Sequence, residues 1–370
     1  MKRVLFLIHD LGPGGAEKVL VNLVNSLDRD RFDVSLKVLF DWGENRRFVQ
    51  PHVHYSAWAP MNIRGNSHWM KLWTPEQLYR MIVGESYDIV VSFLEGPTAR
   101  VAGGCPWNDT KVVSWIHTPI LTEEKFIEGF RSRQEAERCY GRADELVFIS
   151  ADVRDAFFQR FQPKNRAEIL YNIYDGNAIR EAAAILPDDP PMDPEKMNWC
   201  GVGKLIPLKG WTRMLEIQRD LVRANYPAHF YLIGDGPQRS ELEHLVRNLG
   251  IGEHVTFTGY RVNPYQYISR CMLYVCASLR EGFSTAAVEA LMTGTPVCAV
   301  NVGGMREILG EHDEYGLVTD NDDNALKEGV FRFFREPAFR EEYARRAQER
   351  GQMFDKKSGV QAVERMLLSL

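Results

Sequence analysis

Two lysines and two glutamates in the second half of the sequence have types and spacing suited to binding an anionic, hydroxyl-rich ligand. Lys204 and Lys209 lie in one short segment, and Glu281 precedes Glu289 by eight residues. Two ammonium groups can neutralise a diphosphate, which carries about two negative charges, and carboxylates accept hydrogen bonds from sugar hydroxyls. Taken singly, such lysines are more often solvated surface residues, and such glutamate pairs often arise by chance.

Glycines and a predicted helix start surround these four residues. Gly203 follows an apolar run and allows the backbone to approach a ligand closely. Ser284 is a suitable N-cap for a helix predicted over Thr285–Thr293, and the amides of residues 283–285 would then point toward an anion. The string Gly234–Pro237 also ends an apolar run, and we interpret it as a structural turn rather than a ligand contact.

A second glycine-rich string lies near the N-terminus. Gly14, Gly15 and Glu17 follow the apolar run Val4–Ile8, where a helix is predicted over Ala16–Leu27. A dinucleotide-binding fingerprint would place Gly or Ala where Glu17 stands, so the pattern disfavours a nicotinamide cofactor. Anion binding at the helix N-terminus and an ordinary strand-to-helix turn are equally compatible with this string.

Histidines offer one further candidate. His117 follows a strand predicted over Lys111–Ile116, and ligands of α/β sheets bind at strand ends, so functional and structural roles are equally compatible with it. His52 and His54 have no acidic or cysteine partner at metal-ligand spacing. We therefore expect no metal site and no required cofactor.

The elements that must position these side chains alternate between short apolar strands and amphipathic helices. Such alternation predicts a parallel sheet covered on both faces. It pauses at the proline- and aspartate-rich segment 186–194, interpreted as a loop or linker, and then restarts. The predicted fold class is α/β, with two Rossmann-like, doubly wound domains facing a central cleft. The predicted strands are 4–8, 33–39, 87–93, 111–116, 145–149, 167–171, 198–203, 229–234, 255–258, 272–276, 296–300 and 316–318, and later helices are 210–224, 238–249, 285–293, 323–334 and the tail 337–370.

Length and composition disfavour several classes of protein. A chain of 370 residues exceeds the size at which a single core usually stops growing. The net charge of −5 and the lack of a basic run disfavour nucleic-acid binding. No stretch approaches the roughly 20 apolar residues of a membrane span, and Val4–Ile8 is too short for a signal-peptide core. Six cysteines without a CxxC pair favour a reducing, cytoplasmic location.

Along nearly its whole length the chain resembles glycosyltransferase family 4, the retaining enzymes of GT-B fold, here of the bacterial polysaccharide type. The resemblance implies an acceptor-binding domain at 1–175, a nucleotide-sugar-binding domain at 176–350, and a C-terminal helix at 351–370 that packs back on the first domain. Its most specific string runs from Glu281-Gly282-Phe283 through Glu289-Ala290-Leu291 to Gly294-Thr295-Pro296-Val297, and supporting strings are Gly14–Glu17, Gly203–Leu205, Lys209-Gly210 and Gly234–Pro237.

The resemblance implies roles for individual residues. Lys204 and Lys209 would hold the donor diphosphate, Glu281 the donor sugar and Glu289 the ribose. Family members usually carry arginine at position 204, and lysine keeps the charge but loses the bidentate geometry. The two open consequences are weaker diphosphate binding at this position and assistance from Arg261 or Arg306. The catalytic set implied is Lys209, Lys204, Glu281 and His117, and the donor-binding set is Gly15, Gly14, Gly203, Arg261, Phe283, Ser284, Thr285 and Glu289.

The implied activity is transfer of a hexose or N-acetylhexosamine from a nucleotide-sugar, with UDP the favoured base, to a saccharide or lipid-linked saccharide. Surface polysaccharide assembly is the expected setting. Open alternatives are a UDP-sugar 2-epimerase of the same fold, a sugar-nucleotide-binding subunit that needs a partner, and a dehydrogenase.

Aromatic residues beside cations in the first domain suit a saccharide platform or peripheral contact with the inner face of the cell membrane. Core packing is the plainer explanation for any single one of them. The residues concerned are Trp42, Trp58, Trp69, Trp73, Arg46, Arg47, Arg64, Lys71, Phe126, Ile127, Phe130, Arg131 and Arg133.

Overall fold

The structure is a computed structural model that describes residues 1–60, 69–187, 189–354 and 356–370. The chain divides into two compact units. The first consists of Met1–Tyr174 with Lys356–Leu370, and the second consists of Asp175–Asp355. The described residues of the proline-rich segment 186–194 therefore lie inside the second unit and not at the junction.

The first unit is built on a seven-stranded sheet, and every printed strand pair in it is parallel. The strand order is β3-β2-β1-β4-β5-β6-β7. Its strands are β1 Lys2–Ile8, β2 Phe32–Phe40, β3 His54–Ala59, β4 Ile89–Ser92, β5 Lys111–Ile116, β6 Glu145–Phe148 and β7 Arg166–Ile169. Its helices before the second unit are α1 Gly15–Val24, α2 Pro75–Ile82, α3 Pro97–Ala102, α4 Glu123–Phe126, α5 Arg133–Gly141 and α6 Ala151–Phe158, with a 3₁₀ helix at Glu44–Phe48.

The second unit repeats this plan with a six-stranded sheet, again parallel in its strand pairs, in the order β10-β9-β8-β11-β12-β13. Its strands are β8 Met197–Val202, β9 Ala228–Ile233, β10 Val255–Gly259, β11 Leu273–Cys276, β12 Val297–Val300 and β13 Leu317–Thr319. Its helices are α7 Gly176–Ala184, α8 Trp211–Arg223, α9 Arg239–Leu249, α10 Tyr265–Ile268, α11 Thr285–Met292, α12 Met305–Leu309, α13 Asp323–Arg335 and α14 Pro337–Met353, with 3₁₀ helices at Pro207–Lys209 and Gly252–His254.

The predicted α/β class with two doubly wound sheets is confirmed, and the strands differ from prediction mainly at their ends. Strands β1, β4 and β5 are easy to recognise because they lie in the middle of the sheet and are buried on both faces. The edge strand β3 was missed. None of its residues is fully buried, so its sequence lacks the apolar run that identifies a central strand.

The C-terminal tail is not one continuous helix as predicted. It forms α14 in the second unit and a last helix, α15 Lys356–Ser369, in the first. Hydrogen bonds tie α15 to the first unit: the ammonium of Lys2 donates to the carbonyl of Leu367 over 3.1 Å, and the amide of Asp28 donates to Glu364 over 2.8 Å. The expected return of the C-terminal helix to the first domain is confirmed.

Each sheet has one point where the strand order reverses. In the first sheet this point lies between β1 and β4, and in the second it lies between β8 and β11. Open α/β sheets bind ligands beyond the carboxyl ends of their strands at such points, because the following loops diverge to opposite faces. The residues that follow β1, β4, β8 and β11 are therefore the first places to look for a site.

Gly210 holds the loop after β8 against the loop after β11. It has a left-handed φ of +69°, and a Cβ on it would lie 2.1 Å from the carbonyl oxygen of Ala277. The same two loops share a hydrogen bond from the amide of Leu279 to the carbonyl of Leu208, at 2.8 Å. This close approach fixes the backbone of the residue before Gly210.

Gly210→Ala is expected to destabilise the protein more than Gly250→Ala. Both glycines have nearly the same φ, +69° and +68°, and alanine at either costs about 1 kcal/mol for the left-handed backbone. A Cβ at Gly250 meets nothing within 4 Å, whereas one at Gly210 meets backbone. The clash should bring the cost at Gly210 to about 3 kcal/mol. Urea unfolding of both variants measures the difference, and equal costs would contradict the close approach.

Candidate functional site

The centre of the second unit's candidate site is an ion pair between Lys209 and Glu281. The Nζ and Oε1 atoms lie 2.5 Å apart, and the side chains are 26% and 13% exposed. The same Oε1 accepts a hydrogen bond from the hydroxyl of Ser278 over 2.6 Å. Lys209 follows β8 and Glu281 follows β11, so the pair lies where the strand order of this sheet reverses.

The charges of this pair stabilise each other in a partly dehydrated place. Burial is the largest single influence on the Lys209 ammonium and lowers its pKa, but the charge of Glu281, the neighbouring Cys276 and the hydrogen bond to Glu281 together outweigh burial, so the pKa lies above its ordinary value. Burial and then the charge of Glu281 raise the pKa of the neighbouring Cys276 thiol, which stays neutral. Lys209 is therefore a fixed positive charge that one carboxylate balances.

Glycines of the next strand end bring a third loop against Glu281. Gly303, in the loop after β12, has a φ of +51°, and a Cβ on it would lie 2.4 Å from the carbonyl oxygen of Glu281. The amide of Gly304 donates to the carbonyl of Gly282 over 3.0 Å. No larger side chain fits beside this backbone, so the Glu281 loop is held from both neighbouring strand ends.

Helix α11 begins directly after this loop. Ser284 caps it, since its hydroxyl accepts from the amide of Ala287 over 3.3 Å, and Phe283 before it is only 6% exposed. Thr285 is the first helical residue. Glu289 lies further along the same helix, 6% exposed, with Oε1 accepting from the hydroxyl of Tyr265 over 2.8 Å.

The remaining cations of the predicted donor site are not part of this pair. Lys204 is exposed, and its carbonyl accepts from the indole of Trp211 over 3.0 Å. The guanidinium of Arg261 lies 5.8 Å from the ring centroid of Tyr267, and Arg306 donates to the carbonyl of Glu311 over 2.8 Å. The Lys209–Glu281 pair lies beside Gly203, where a Cβ would lie 3.5 Å from Lys209 Cε. Lys204, by contrast, is exposed.

The string Gly234–Pro237 forms a turn that supports the loop after β8. A Cβ on Gly234 would lie 1.9 Å from the carbonyl oxygen of Gly203. The amide of Leu205 donates to the carbonyl of Asp235 over 3.0 Å, and that of Gln238 donates to the carbonyl of Leu205 over 3.0 Å. The contacts of this turn are structural.

In the first unit, His117 is a buried, neutral imidazole at the end of β5. It is 6% exposed, and its ring centroid lies 4.6 Å from that of Phe93. Burial lowers the pKa of His117 to about 3. Among the described atoms its Nε2 has no hydrogen-bond partner. A buried nitrogen of this kind is available to a ligand.

Glu95, which sequence reasoning missed, holds the His117 loop. Its Oε2 accepts from the backbone amide of His117 over 3.0 Å, and its Oε1 accepts from the hydroxyl of Thr118. The ammonium of Lys125 lies 4.0 Å from the same carboxylate. Its only sequence signal is its place just after β4, since a lone acid after a strand matches no motif.

The loop after β1 carries a second acidic group that was missed. Asp10 accepts from the amide of Gly12 over 2.8 Å and contacts Nδ1 of His9 over 2.7 Å. Glu17, in the first turn of α1, folds back over Gly14, where a Cβ would lie 2.1 Å from Glu17 Oε2. Gly15 is the first residue of α1, so both glycines of the predicted string lie at this helix start.

The carboxyl group of Glu17 has a raised pKa. Burial raises its pKa to about 7, the charge of Asp10 adds to this, and a hydrogen bond to its own backbone and the nearby His9 oppose it. A carboxyl group in this state is about half protonated at neutral pH.

Glu17→Gln is expected to raise the melting temperature at pH 8 and to leave it unchanged near pH 4.5. Between its ordinary pKa of 4.5 and about 7, the folded state binds a proton that the unfolded state releases, so this group's contribution to stability falls as pH rises. Melting curves of both proteins across this range measure the difference. The control is Glu44→Gln, at an exposed residue. A difference in melting temperature between the wild type and Glu17→Gln that does not vary with pH would contradict the raised pKa of Glu17.

The aromatic residues predicted for a saccharide or membrane surface fall into two groups. Trp42 and Trp69 are 53% and 69% exposed, whereas Phe126 and Phe130 are 0% and 1% exposed and belong to the core. The suggestion that these two phenylalanines touch a lipid is wrong. Arg64 lies outside the described residues.

Two further features concern the first unit and the described chain as a whole. His54 pairs with Asp33, at 3.0 Å from Nε2 to Oδ1. In the described ranges, no group of three or more His, Cys, Asp and Glu side chains could hold a metal ion. Likewise, none of the helices in the part of the chain that the structure describes is long and apolar enough to cross a bilayer.

Comparison with known families gives two matches that follow the two units. Residues 13–177 match the model "Glycosyltransferase Family 4", and residues 189–350 match "Glycosyl transferases group 1". Both models describe glycosyltransferases, and between them they include the glycine string of α1, the Lys209–Glu281 pair and Glu289.

Individual relatives agree with this assignment. The chain is 27% identical over 368 residues, 96% of each protein, to the N-acetylgalactosamine-N,N'-diacetylbacillosaminyl-diphospho-undecaprenol 4-alpha-N-acetylgalactosaminyltransferase of Campylobacter jejuni. It is 27% identical to the lipopolysaccharide core biosynthesis glycosyltransferase LpsD of Rhizobium meliloti, over 55% of this chain and 57% of that protein. The crystal structure of HepE from Anabaena in complex with UDP superposes with a TM-score of 0.77, at 21% identity and 100% coverage of both chains.

The structural likeness shows the fold, which is GT-B, and the family models show the relationship. The chain belongs to the glycosyltransferases of family 4 type.

Proposed function

We propose that this glycosyltransferase moves a hexose or N-acetylhexosamine from a UDP-sugar to the hydroxyl of a saccharide, with retention at the anomeric carbon. The observation that carries the proposal is the Lys209–Glu281 ion pair at the strand-order reversal of the second sheet. It combines a fixed cation for a diphosphate with a carboxylate for sugar hydroxyls. UDP is favoured because the Anabaena neighbour of the same fold was solved with UDP.

In the proposed reaction the bond between the anomeric carbon and the diphosphate oxygen breaks, and a bond from that carbon to the acceptor oxygen forms on the same face. The acceptor's proton passes to the departing diphosphate. The Lys209 ammonium stabilises the negative charge that develops on the leaving group, and its raised pKa keeps it protonated. The step needs no metal ion and no redox cofactor.

The other residues of the second unit would position the donor. Glu281 would accept hydrogen bonds from the sugar hydroxyls, and the amides at the start of α11 would face the phosphate. Glu289 would accept from the ribose hydroxyls, because its carboxylate is held by Tyr265 and cannot turn freely. Lys204 would contribute a mobile positive charge, and Arg261, which is not in the ion pair, could add a second one.

The acceptor is proposed to be a saccharide on a lipid diphosphate carrier, used in surface polysaccharide assembly. The support is the Campylobacter relative, whose name describes an acceptor on diphospho-undecaprenol, and the Rhizobium relative of lipopolysaccharide core biosynthesis. The 2-epimerase alternative keeps the fold and is separated by product analysis without acceptor, where an epimerase would convert the UDP-sugar and a transferase would not.

Lys209→Ala and Glu281→Ala are each expected to lower turnover by at least about 10²-fold, the scale of losing one stabilising group in a transition state. The donor is identified first by a thermal-shift screen of UDP-, GDP- and ADP-sugars, and turnover is then measured by release of the nucleoside diphosphate in the presence of saccharide acceptor.

Lys327→Ala is the matched control for these variants. Lys327 also forms an ion pair in the second unit, at 2.6 Å to Asp220, but away from the strand ends that carry the site. Its removal should leave turnover within about twofold, as expected for a surface pair. Near-normal rates in both Lys209→Ala and Glu281→Ala, with all three variants folded, would refute the site assignment.

A lipid-linked acceptor suggests peripheral binding to the inner face of the cell membrane, and one exposed segment of the first unit supports this. Trp69 and Leu72 are 69% and 72% exposed, with Lys71 between them. Hydrogen bonds from a buried arginine hold the backbone of this segment. Arg100, fully buried and paired with Glu135, donates to the carbonyls of Met70 and Trp73 over 2.8 and 2.7 Å.

The double variant Trp69→Ala/Leu72→Ala is expected to lower binding to vesicles that contain anionic lipid by about tenfold, because two interfacial apolar side chains are lost. Co-sedimentation with such vesicles and with neutral vesicles measures it. The single variant Met81→Ala, at an exposed residue near the end of α2, is the control. Absence of wild-type binding to either kind of vesicle would contradict membrane contact.

A further inference from the structure

We propose that Trp42, together with the side chains of Asp10 and Glu17, forms a saccharide-binding subsite on the first unit that holds a sugar ring of the acceptor. The inference rests on the proposed transfer to a saccharide. It adds what the family resemblance does not supply, namely which residues of this chain meet that ring.

The subsite is rigid because two loops are joined along their length. The amide of Leu11 donates to the carbonyl of Trp42 over 2.9 Å, and the amide of Asn45 donates to the carbonyl of Leu11 over 3.0 Å. The buried Asn45 side chain also donates to the carbonyl of Gly12 over 2.5 Å. Gly43 allows this contact: its φ is +118°, and a Cβ on it would lie 2.0 Å from the Leu11 carbonyl.

Trp42 rests on Gly12 within this joined pair of loops. A Cβ on Gly12 would lie 2.6 Å from Cζ3 of the indole and 3.0 Å from Oδ1 of Asp10. The indole therefore packs against bare backbone and still leaves 53% of the residue exposed. A large aromatic side chain that is held in place but half exposed is the usual partner of the apolar face of a pyranose ring.

Hydrogen-bonding groups lie beside the indole. Asp10, whose side chain is 13% exposed, is adjacent to Gly12 and bonds its amide. The imidazole of His9 lies beside this carboxylate, with Nδ1 2.7 Å from Oδ2 of Asp10. The Glu17 carboxyl lies over Gly14, two residues after Gly12 in the same loop, and the charge of Asp10 adds to its raised pKa. A carboxyl that is partly protonated at neutral pH can both donate to and accept from sugar hydroxyls.

The charged groups around Trp42 favour a neutral polyol over a phosphate as the ligand beside the indole. The cations on the adjacent 3₁₀ helix, Glu44–Phe48, are engaged elsewhere: Arg46 pairs with Asp41 at 2.7 Å, and Arg47 lies 4.8 Å from the ring centroid of Phe48. The groups next to Trp42 are acidic, so a phosphate is disfavoured beside the indole itself. The amides of Gly14 and Gly15 at the start of α1 are a separate place, which the resemblance assigns to the donor phosphates. A sugar ring without a phosphate fits both the aromatic surface and the acceptors.

Saturation-transfer NMR on the full-length chain tests this, with glucose, galactose, N-acetylglucosamine and N-acetylgalactosamine as probes, each with and without UDP. We expect transfer to at least one probe in the wild type, a loss of about fivefold or more in Trp42→Ala, and substantial retention in Trp42→Phe. Trp69→Ala, which removes an indole that is more exposed, should retain the wild-type signal. In turnover assays Trp42→Ala should raise the acceptor KM by about tenfold, with the donor KM unchanged.

The inference is overturned if none of the four sugars receives saturation, or if Trp42→Ala and Trp69→Ala give the same signal. Binding of UDP, followed by thermal shift in the same variants, separates this result from the proposed function. If UDP binds while the sugar signals do not depend on Trp42, only the subsite fails. If UDP and UDP-sugars do not bind the wild type, the proposed donor site fails, and the sugar experiment without UDP still decides the subsite.

Discussion

The contact between Lys209 and Glu281 is the constraint on which the rest of the second unit depends. An ammonium with little exposure needs a counter-charge, and a buried ion pair seldom stabilises a fold more than apolar packing would. Its retention at 2.5 Å, at the reversal of strand order, therefore requires a reason other than stability. Binding of a diphosphate supplies one, since an anion then replaces part of the charge that Glu281 provides.

Four strand ends come together around this pair. Gly210 brings the β8 loop against the β11 loop, Gly303 brings the β12 loop against Glu281, and Gly234 brings the β9 turn under Gly203. In each case the neighbour of the absent Cβ is a backbone carbonyl, which cannot move aside as a side chain could. The glycines therefore stand where one backbone must approach another closely. These contacts position the loops that carry the charged residues.

The first unit has the same kind of sheet but mainly acidic side chains at its reversal point. Its strand ends carry Asp10, Glu95 and the neutral His117, with Glu17 at the start of α1. These side chains suit the hydroxyl-rich, uncharged ligand proposed for the Trp42 subsite, while the backbone amides at the start of α1 keep their predicted role at the donor phosphates. On this proposal a few side chains at corresponding places give two similar folds different tasks.

The sequence was enough to predict the two sheets and the Lys209 and Glu281 positions, because central strands are continuous apolar runs and the glycine strings have regular spacing. It was not enough for the edge strand β3, for the division of the tail between units, or for Asp10 and Glu95. Lone acids after strands have no motif, and exposure is set by neighbours far along the chain. Trp42 and Phe126 look alike in sequence, yet one is 53% exposed and the other fully buried.

Lysine at position 204 is a departure from the arginine that family members usually carry there. Its backbone is held through a hydrogen bond from Trp211 to its carbonyl, while its ammonium projects to solvent. A guanidinium at this place could clamp a phosphate through two fixed donors, but an ammonium on a flexible stem contributes charge without fixed direction. In the proposed donor complex the directional part of diphosphate binding would then fall to Lys209, which Glu281 holds in place, and to the amides at the start of α11. Donor orientation would consequently depend on one ion pair more heavily than it would with arginine at 204.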